Sequence, residues 1–201
     1  MYLLKRYPKF FLFSLALTLS GIGSALTGVA IYELMRQQGM PPENYALMFA
    51  LTFLPAFFAS ELGKRLALSV RFSAVFVIFN ILGIIVCSAN LWNLSHQQTW
   101  IHYATILFGG IVNGVYFPLY QILLKRTISE TDLPALSVYE TVIFGLQFIL
   151  GELLGTLLFS MLGPANFFQA DILTFLICSA VVGVLAYQGQ LSFDPIKSEE
   201  K

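Results

Sequence analysis

The chain has 201 residues, of which 57% are hydrophobic and 11% charged; one water-soluble core of that size cannot bury so much apolar surface, so composition points to a membrane protein. Its 11 basic and 11 acidic side chains give a net charge of zero, which leaves no basic face to neutralise phosphates and sets nucleic acid aside as a partner. Cys87 and Cys178 both lie within apolar runs, where a thiol acts as a small hydrophobe, and no spacing around them suggests a disulfide framework or a metal site.

The amino terminus opens with Lys5, Arg6 and Lys9 and then runs apolar through residues 10–32, longer than the ~7–15 residues of a cleaved signal core. It reads as a retained first span, although Ser24 and Ala25 are small enough to offer a weak cleavage site. A bilayer core about 30 Å thick takes roughly 20 apolar residues at ~1.5 Å each. Six segments meet that length: 10–32, 45–62, 72–92, 103–124, 136–162 and 167–187. The expected fold is all-α, a polytopic membrane protein whose six transmembrane helices form one bundle over residues 1–190, followed by a tail over 191–201.

Orientation follows from the Lys and Arg residues of the connections, because basic residues resist translocation. With a cytoplasmic amino terminus, the inner side holds Lys5, Arg6, Lys9, Lys64, Arg65, Arg71, Lys125, Arg126, Lys197 and Lys201, and the outer side Arg36 alone. That bias places both termini in the cytoplasm of an inner (plasma) membrane protein in contact with lipid. Trp92 and Trp100 flank an outer connection as an interfacial aromatic belt would. The Asn93-Leu94-Ser95 sequon there carries little weight, since such triplets arise often by chance. Small residues recur where helices must approach: Gly21, Gly23, Ser24 and Gly28, then Gly109, Gly110 and Gly114, then Gly145, Gly151 and Gly155.

Several stretches resemble one branch of the major facilitator superfamily, that of macrolide and siderophore exporters. They are "LTLSGIGSALTGVAIY" in the first span, "GGIVNGVYFPLYQ" in the fourth, "DLPALSVYETVIFGLQFILGELLG" entering and crossing the fifth, and "LGPANFFQADILTF" opening the sixth. The last two are the most specific: Asp132-Leu133-Pro134 ahead of the fifth span, and Gly163-Pro164 leading to Asp171, Thr174 and Phe175. The resemblance implies secondary transport, in the direction of export, of an amphipathic small molecule such as a drug or siderophore, with no cofactor.

Three departures stand beside it. The family's loop between second and third spans carries an Asp that latches one conformation, and "ELGKRLALSVRF" puts Leu68 or Ala67 there, depending on register. Phe117 rather than Arg precedes Pro118, and Glu152 rather than Pro follows Gly151. Family members have about twelve spans in two halves with substrate held between them. This chain corresponds to the amino-terminal half, so a second six-span half or a homodimer is the implied partner. The alternative is a transport-inactive remnant or an assembly partner for another membrane protein.

Ionisable groups within a span are expensive and default to functional roles. Glu152, near the middle of the fifth span, is the candidate for proton or substrate coupling, with a hydrogen-bonded structural carboxyl as the other reading. Asp171 reads as structural, satisfied by a helix start or a neighbour. Glu140 either pairs with the basic loops or reaches water. Glu61 offers a substitute for the missing loop Asp by pairing with Arg65, and Arg71 adds to the same basic knot. Asn113, Tyr116, Tyr120, Gln121, Ser24 and Thr27 are the polar and aromatic candidates for a substrate cavity, against the plainer reading of helix packing. An enzyme is not expected: His96 and His102 fall in an outer connection, and no HExxH, CxxC or phosphate-binding Gly-rich loop appears.

Overall fold

The computed structural model describes residues 2–189 together with Leu191 and Asp194, the side chains of Phe144, Leu146 and Phe148 excepted. The rest of the expected tail, with Lys197 and Lys201, lies outside the described residues. A short α1 (Tyr2–Arg6) leads into α2 (Pro8–Gln37), α3 (Pro42–Ser69), α4 (Phe72–Asn93) and α5 (Thr99–Thr127). Then come α6 (Leu133–Phe148), a π-helical turn (Ile149–Leu153) and α7 (Leu154–Tyr187). Pro8 and Pro42 sit in the first turns of α2 and α3, where a missing N–H costs no helical bond.

Among the described residues five helical stretches are long and apolar enough to cross a membrane: Pro8–Gln37, Pro42–Ser69, Phe72–Asn93, Thr99–Thr127 and Ile149–Tyr187. The last has 39 residues, and a straight helix of that length would run ~58 Å, well beyond an apolar core of about 30 Å. It does not run straight. Gly163 takes φ 73° and ψ 165°, a region essentially closed to side-chain-bearing residues, and Pro164 follows it. Before that point the chain climbs α2, with Gln147 against Gly21, Gly151 against Ala25, and Gly155 against Leu26 and Val29. Beyond it the register descends: Asp171 bonds Thr27 and Ser24, and Thr174 meets Gly23. The Phe159 and Phe167 rings, one on each arm, stand 5.8 Å apart.

Close backbone approach organises the bundle. The α3 and α5 helices pack together where a Cβ on Gly114 would come within 2.8 Å of the Ala56 Cα. The α2 helix packs against α6 and the first arm of α7, and α4 against the second arm, where the Phe175 ring covers Gly83. Two apolar cores result. One, around Phe10, Phe13, Phe76, Leu119 and Leu123, fills the end carrying the α3–α4 and α5–α6 connections, the basic end. The other, around Ile31, Met35, Met48, Phe167 and Phe168, fills the opposite end. Between them lies the small, polar middle of α2, with Gly21, Gly23, Ser24 and Thr27.

Candidate functional site

Asp171 sits on the second arm of α7, two turns after Pro164, and is 1% exposed. Its Oδ2 accepts from Thr27 Oγ1 at 2.8 Å and from Cys87 Sγ at 3.4 Å, and its Oδ1 from Ser24 Oγ and Thr174 Oγ1, both at 3.3 Å. Donors thus arrive from α2, α4 and α7 itself. A Cβ on Gly23 would stand 2.8 Å from Asp171 Oδ1, so the bare glycine is what lets α2 come this near. Among the described residues no Lys or Arg forms an ion pair with Asp171. The carboxyl is satisfied by hydroxyl and thiol hydrogen bonds alone, the condition under which a buried polar group is tolerated. Ser24 and Thr27, candidates for a cavity wall, are both turned onto this carboxyl.

On α5 the sequence candidates separate by face. The Tyr116 hydroxyl stands 3.0 Å from the Phe76 carbonyl and 3.1 Å from Asn80 Oδ1, sharing its one proton between two acceptors on α4. Tyr120, one turn on, is buried with its hydroxyl 3.1 Å from Ser14 Oγ and its ring stacked on Phe13. Asn113 and Phe117 point out of the bundle and Gln121 is half-buried. The structure therefore divides this set between packing and an open face, a division that follows from the helical offset of one residue between 116 and 117.

The carboxylates of the fifth segment also divide. Glu140 is buried beside Tyr120 and Gln121, and its Oε1 has no hydrogen-bond partner. It faces α5 rather than the basic connections. Glu152 is exposed on the π-helical turn, within electrostatic reach of Tyr32, whose ring stacks on Tyr45 of α3. A π-helical turn inserts one residue into the α-helical ladder and often marks a functional position.

Charges gather at the basic end. Glu61 pairs along its own helix with Arg65 at 3.4 Å and Lys64 at 3.9 Å, all three well exposed. Arg71 Nε donates to Asp194 Oδ1 at 3.0 Å, and Arg126 Nη1 to the Asp194 carbonyl at 2.7 Å, so the α3–α4 connection and the last turn of α5 both hold Asp194. Asp132 draws the amino terminus onto the α5–α6 connection: Arg6 lies 2.8 Å from its Oδ2, which also accepts from Tyr7 Oη at 2.9 Å and Ser129 Oγ at 3.0 Å. The Tyr7 hydroxyl foremost, with Ser129 and Arg6, holds the Asp132 carboxyl below the usual range, against partial burial that pushes it up.

Sequence reasoning missed the Arg6–Asp132 contact and the part of Cys87 in the Asp171 cluster. The first carried a signal, the Asp132-Leu133-Pro134 motif; the second carried none, because a thiol among apolar residues looks like packing. Among the described residues no group of three or more His, Cys, Asp or Glu is placed to hold a metal ion.

No curated protein and no solved structure matches the chain. A family model does, over residues 13–198, and its description is Major Facilitator Superfamily, a family of membrane transporters. With that match spanning α2 to beyond α7 and five helical stretches fit to cross a bilayer, this multi-pass membrane protein belongs to the Major Facilitator Superfamily.

Proposed function

We propose that the chain is one six-span half of a secondary transporter that exports an amphipathic small molecule, such as a drug or siderophore, by alternating access. In this reading the 39-residue stretch counts as the end of the fifth span and all of the sixth, turning at Gly163. It sits in the inner (plasma) membrane with both termini cytoplasmic, as the basic connections favour. Its branch is that of the macrolide and siderophore exporters, on the motifs around Asp132 and Gly163.

The observation that carries the proposal is the exposure of Glu152. Around it Ile149, Leu150, Leu153, Leu154 and Leu157 are all exposed and apolar, and a carboxyl in such a setting faces a water-filled cavity or a protein partner far more readily than lipid. A second six-span bundle in the same orientation, either a further half or a second copy, supplies the missing wall and leaves the cavity between. Glu152 then serves as the coupling carboxyl. Asn113 and Gln121 are the polar positions left to meet substrate, with Ser24 exposed beside its bond to Asp171, since Tyr116, Tyr120 and Thr27 are engaged inside the bundle.

Reconstituted vesicles with an imposed pH gradient test this. The wild-type chain is expected to drive accumulation of a macrolide or siderophore, and Glu152→Gln to bind it without gradient-driven accumulation. Unchanged coupling in Glu152→Gln removes Glu152 from the mechanism, and a strict monomer in nanodiscs with no partner removes the homodimer.

One observation favours the second reading, an assembly partner that does not transport. Glu61 bonds only to Lys64 and Arg65 of its own helix among the described residues, so the loop lacks a cross-helix latch. Vesicles that accumulate nothing, from a chain that still co-purifies with another membrane protein, decide for it.

A further inference from the structure

The end of the bundle opposite the basic one holds a cavity of about 240 Å³. Leu34, Gln37 and Gln38 line it from the end of α2, Leu94 and Gln97 from the α4–α5 connection, and His102 from the first turn of α5. The hydrogen bonds behind it fix the tautomer of His102 step by step. Asn90 Nδ2 stands 3.0 Å from the Val86 carbonyl, which can only accept, so the amide nitrogen lies on that side. The Thr105 hydroxyl donates to the Ile101 carbonyl at 2.8 Å and therefore accepts from the same Asn90 nitrogen at 2.6 Å. Asn90 Oδ1 is left facing His102 Nδ1 at 3.1 Å, and an amide oxygen cannot donate, so Nδ1 carries the hydrogen.

In the neutral ring, Nε2 then holds a free lone pair. No hydrogen bond to Nε2 is made by a described residue, and His102, 2% exposed, lines the cavity with its Nδ1 turned away to Asn90. A second feature marks the same place. Gln97 has φ 55°, the one positive value at a non-glycine position among the described residues. The Asn93 amide braces the loop, accepting from the Gln98 N–H at 2.7 Å and donating to its carbonyl at 3.0 Å. Backbone held in a sparsely populated region gathers at binding sites, where the surroundings enforce it.

We propose that this cavity recognises a compact, uncharged polyol, a sugar-like molecule that donates a hydroxyl hydrogen to His102 Nε2. The same ligand exchanges hydrogen bonds with the carboxamides of Gln37, Gln38 and Gln97. The chemistry selects the class. A hydroxyl both donates and accepts, as a carboxamide does. Apart from the neutral His102, no acidic or basic side chain among the described residues lines the cavity to offset an ionic ligand, and the Nε2 lone pair repels an anion. The volume holds about eight waters at ~30 Å³ each and falls below the ~300–1,000 Å³ of drug-sized sites, so the ligand is small. The site does not depend on which molecule the bundle carries across the membrane.

The full chain in nanodiscs, with ¹⁵N-labelled imidazoles, gives the test. The sequence has two histidines, and His96→Gln leaves His102 as the sole signal. The expected spectrum at neutral pH is that of the Nδ1–H tautomer, and glucose as probe shifts the unprotonated Nε2 resonance saturably. Emission from Trp92 and Trp100, the two tryptophans of the chain, follows the same curve. Methylammonium and acetate do neither. His102→Phe abolishes the emission response, and Gln97→Gly, which accepts the left-handed backbone, weakens glucose by about two- to tenfold through a lost hydrogen bond. An Nε2–H tautomer overturns the proposal, as does the absence of saturation with glucose, an equal response to a charged probe, or an unchanged emission response in His102→Phe. If His102→Phe does not fold, the tautomer and Gln97→Gly decide.

Discussion

Thr27 Oγ1 and Asp171 Oδ2 lie 2.8 Å apart although 144 residues separate them in the chain. The bond ties the middle of α2 to the second arm of α7, and Cys87 on α4 shares the same acceptor. Removing the carboxyl strands two buried donors, Thr27 and Cys87, and each stranded polar group costs ~1–3 kcal/mol. Asp171→Leu is therefore expected to lower the thermal midpoint in detergent strongly, with a loss of at least about 2 kcal/mol in total. Asp171→Asn costs less, because the hydroxyls of Ser24 and Thr27 can rotate to accept. Equal stability of Asp171→Leu and the wild type would show that the cluster holds nothing together.

The cluster also predicts an order among its donors. Thr27→Val removes the shortest bond and is expected to cost ~1.5–3 kcal/mol, the range for a hydrogen bond to a charged group. Cys87→Ser exchanges a weak donor for a stronger one of similar size and is expected to be nearly neutral. Chemical or thermal unfolding of the two variants checks the ranking, and a larger loss in Cys87→Ser contradicts it.

Asp132 sets a pH dependence at the basic end. Its carboxyl is held below its unfolded value by Tyr7, Ser129 and Arg6, so its contribution is fully present above the unfolded value, about 3.9, and is lost as pH falls through the lower folded value. Wild type and Asp132→Asn are expected to differ at pH 7 and to converge on acidification. Hydrogen exchange of the α5–α6 connection measures this directly. A difference that grows as pH falls would reverse the sign and remove the assignment.

Glycines 109 and 114 lie on one helix and predict opposite outcomes. A Cβ on Gly114 would press on the Ala56 backbone and stand 2.8 Å from the Ala59 Cβ, whereas one on Gly109 would meet nothing within 4 Å. Gly114→Ala is expected to cost ~1–3 kcal/mol by overpacking α3 against α5. Gly109→Ala is neutral or gains up to ~1 kcal/mol of helix propensity. Thermal midpoints of the two variants test the pairing of α3 with α5.

What the sequence makes legible follows from how each signal is encoded. The long helices are legible because hydropathy over some 20 residues is one strong, averaged signal, and the "LGPAN" punctuation falls on the non-helical Gly163. The π-helical turn at Ile149–Leu153 is not legible, since no residue type demands it. Asp171 stands out as a costly charge in an apolar run, but its partners depend on which faces meet. Tyr116 and Phe117 differ by one helical step and end on different sides of α5. Glu140 reads, from its place near a segment end, as pairing with the basic loops or reaching water, and it lies buried between α6 and α5, because Tyr120 and Gln121 come to it from another helix.

The turn at Gly163 yields the sharpest test of topology. If the chain crosses the membrane, turns and crosses back, Asn166 and Gln188 lie on opposite sides. If Ile149–Tyr187 crosses once, residues near 166 lie within the apolar layer. Asn166 is exposed on the bundle surface, and the native Cys87 and Cys178 are buried, so they contribute little background. Asn166→Cys is expected to react with a membrane-impermeant maleimide in intact cells, and Gln188→Cys only after permeabilisation. Gly163→Ala, strained at φ 73°, is expected to cost ~1–3 kcal/mol without changing that pattern. An unreactive Asn166→Cys in both conditions would sink the double crossing, and reaction of both cysteines from the same side would place the turn elsewhere.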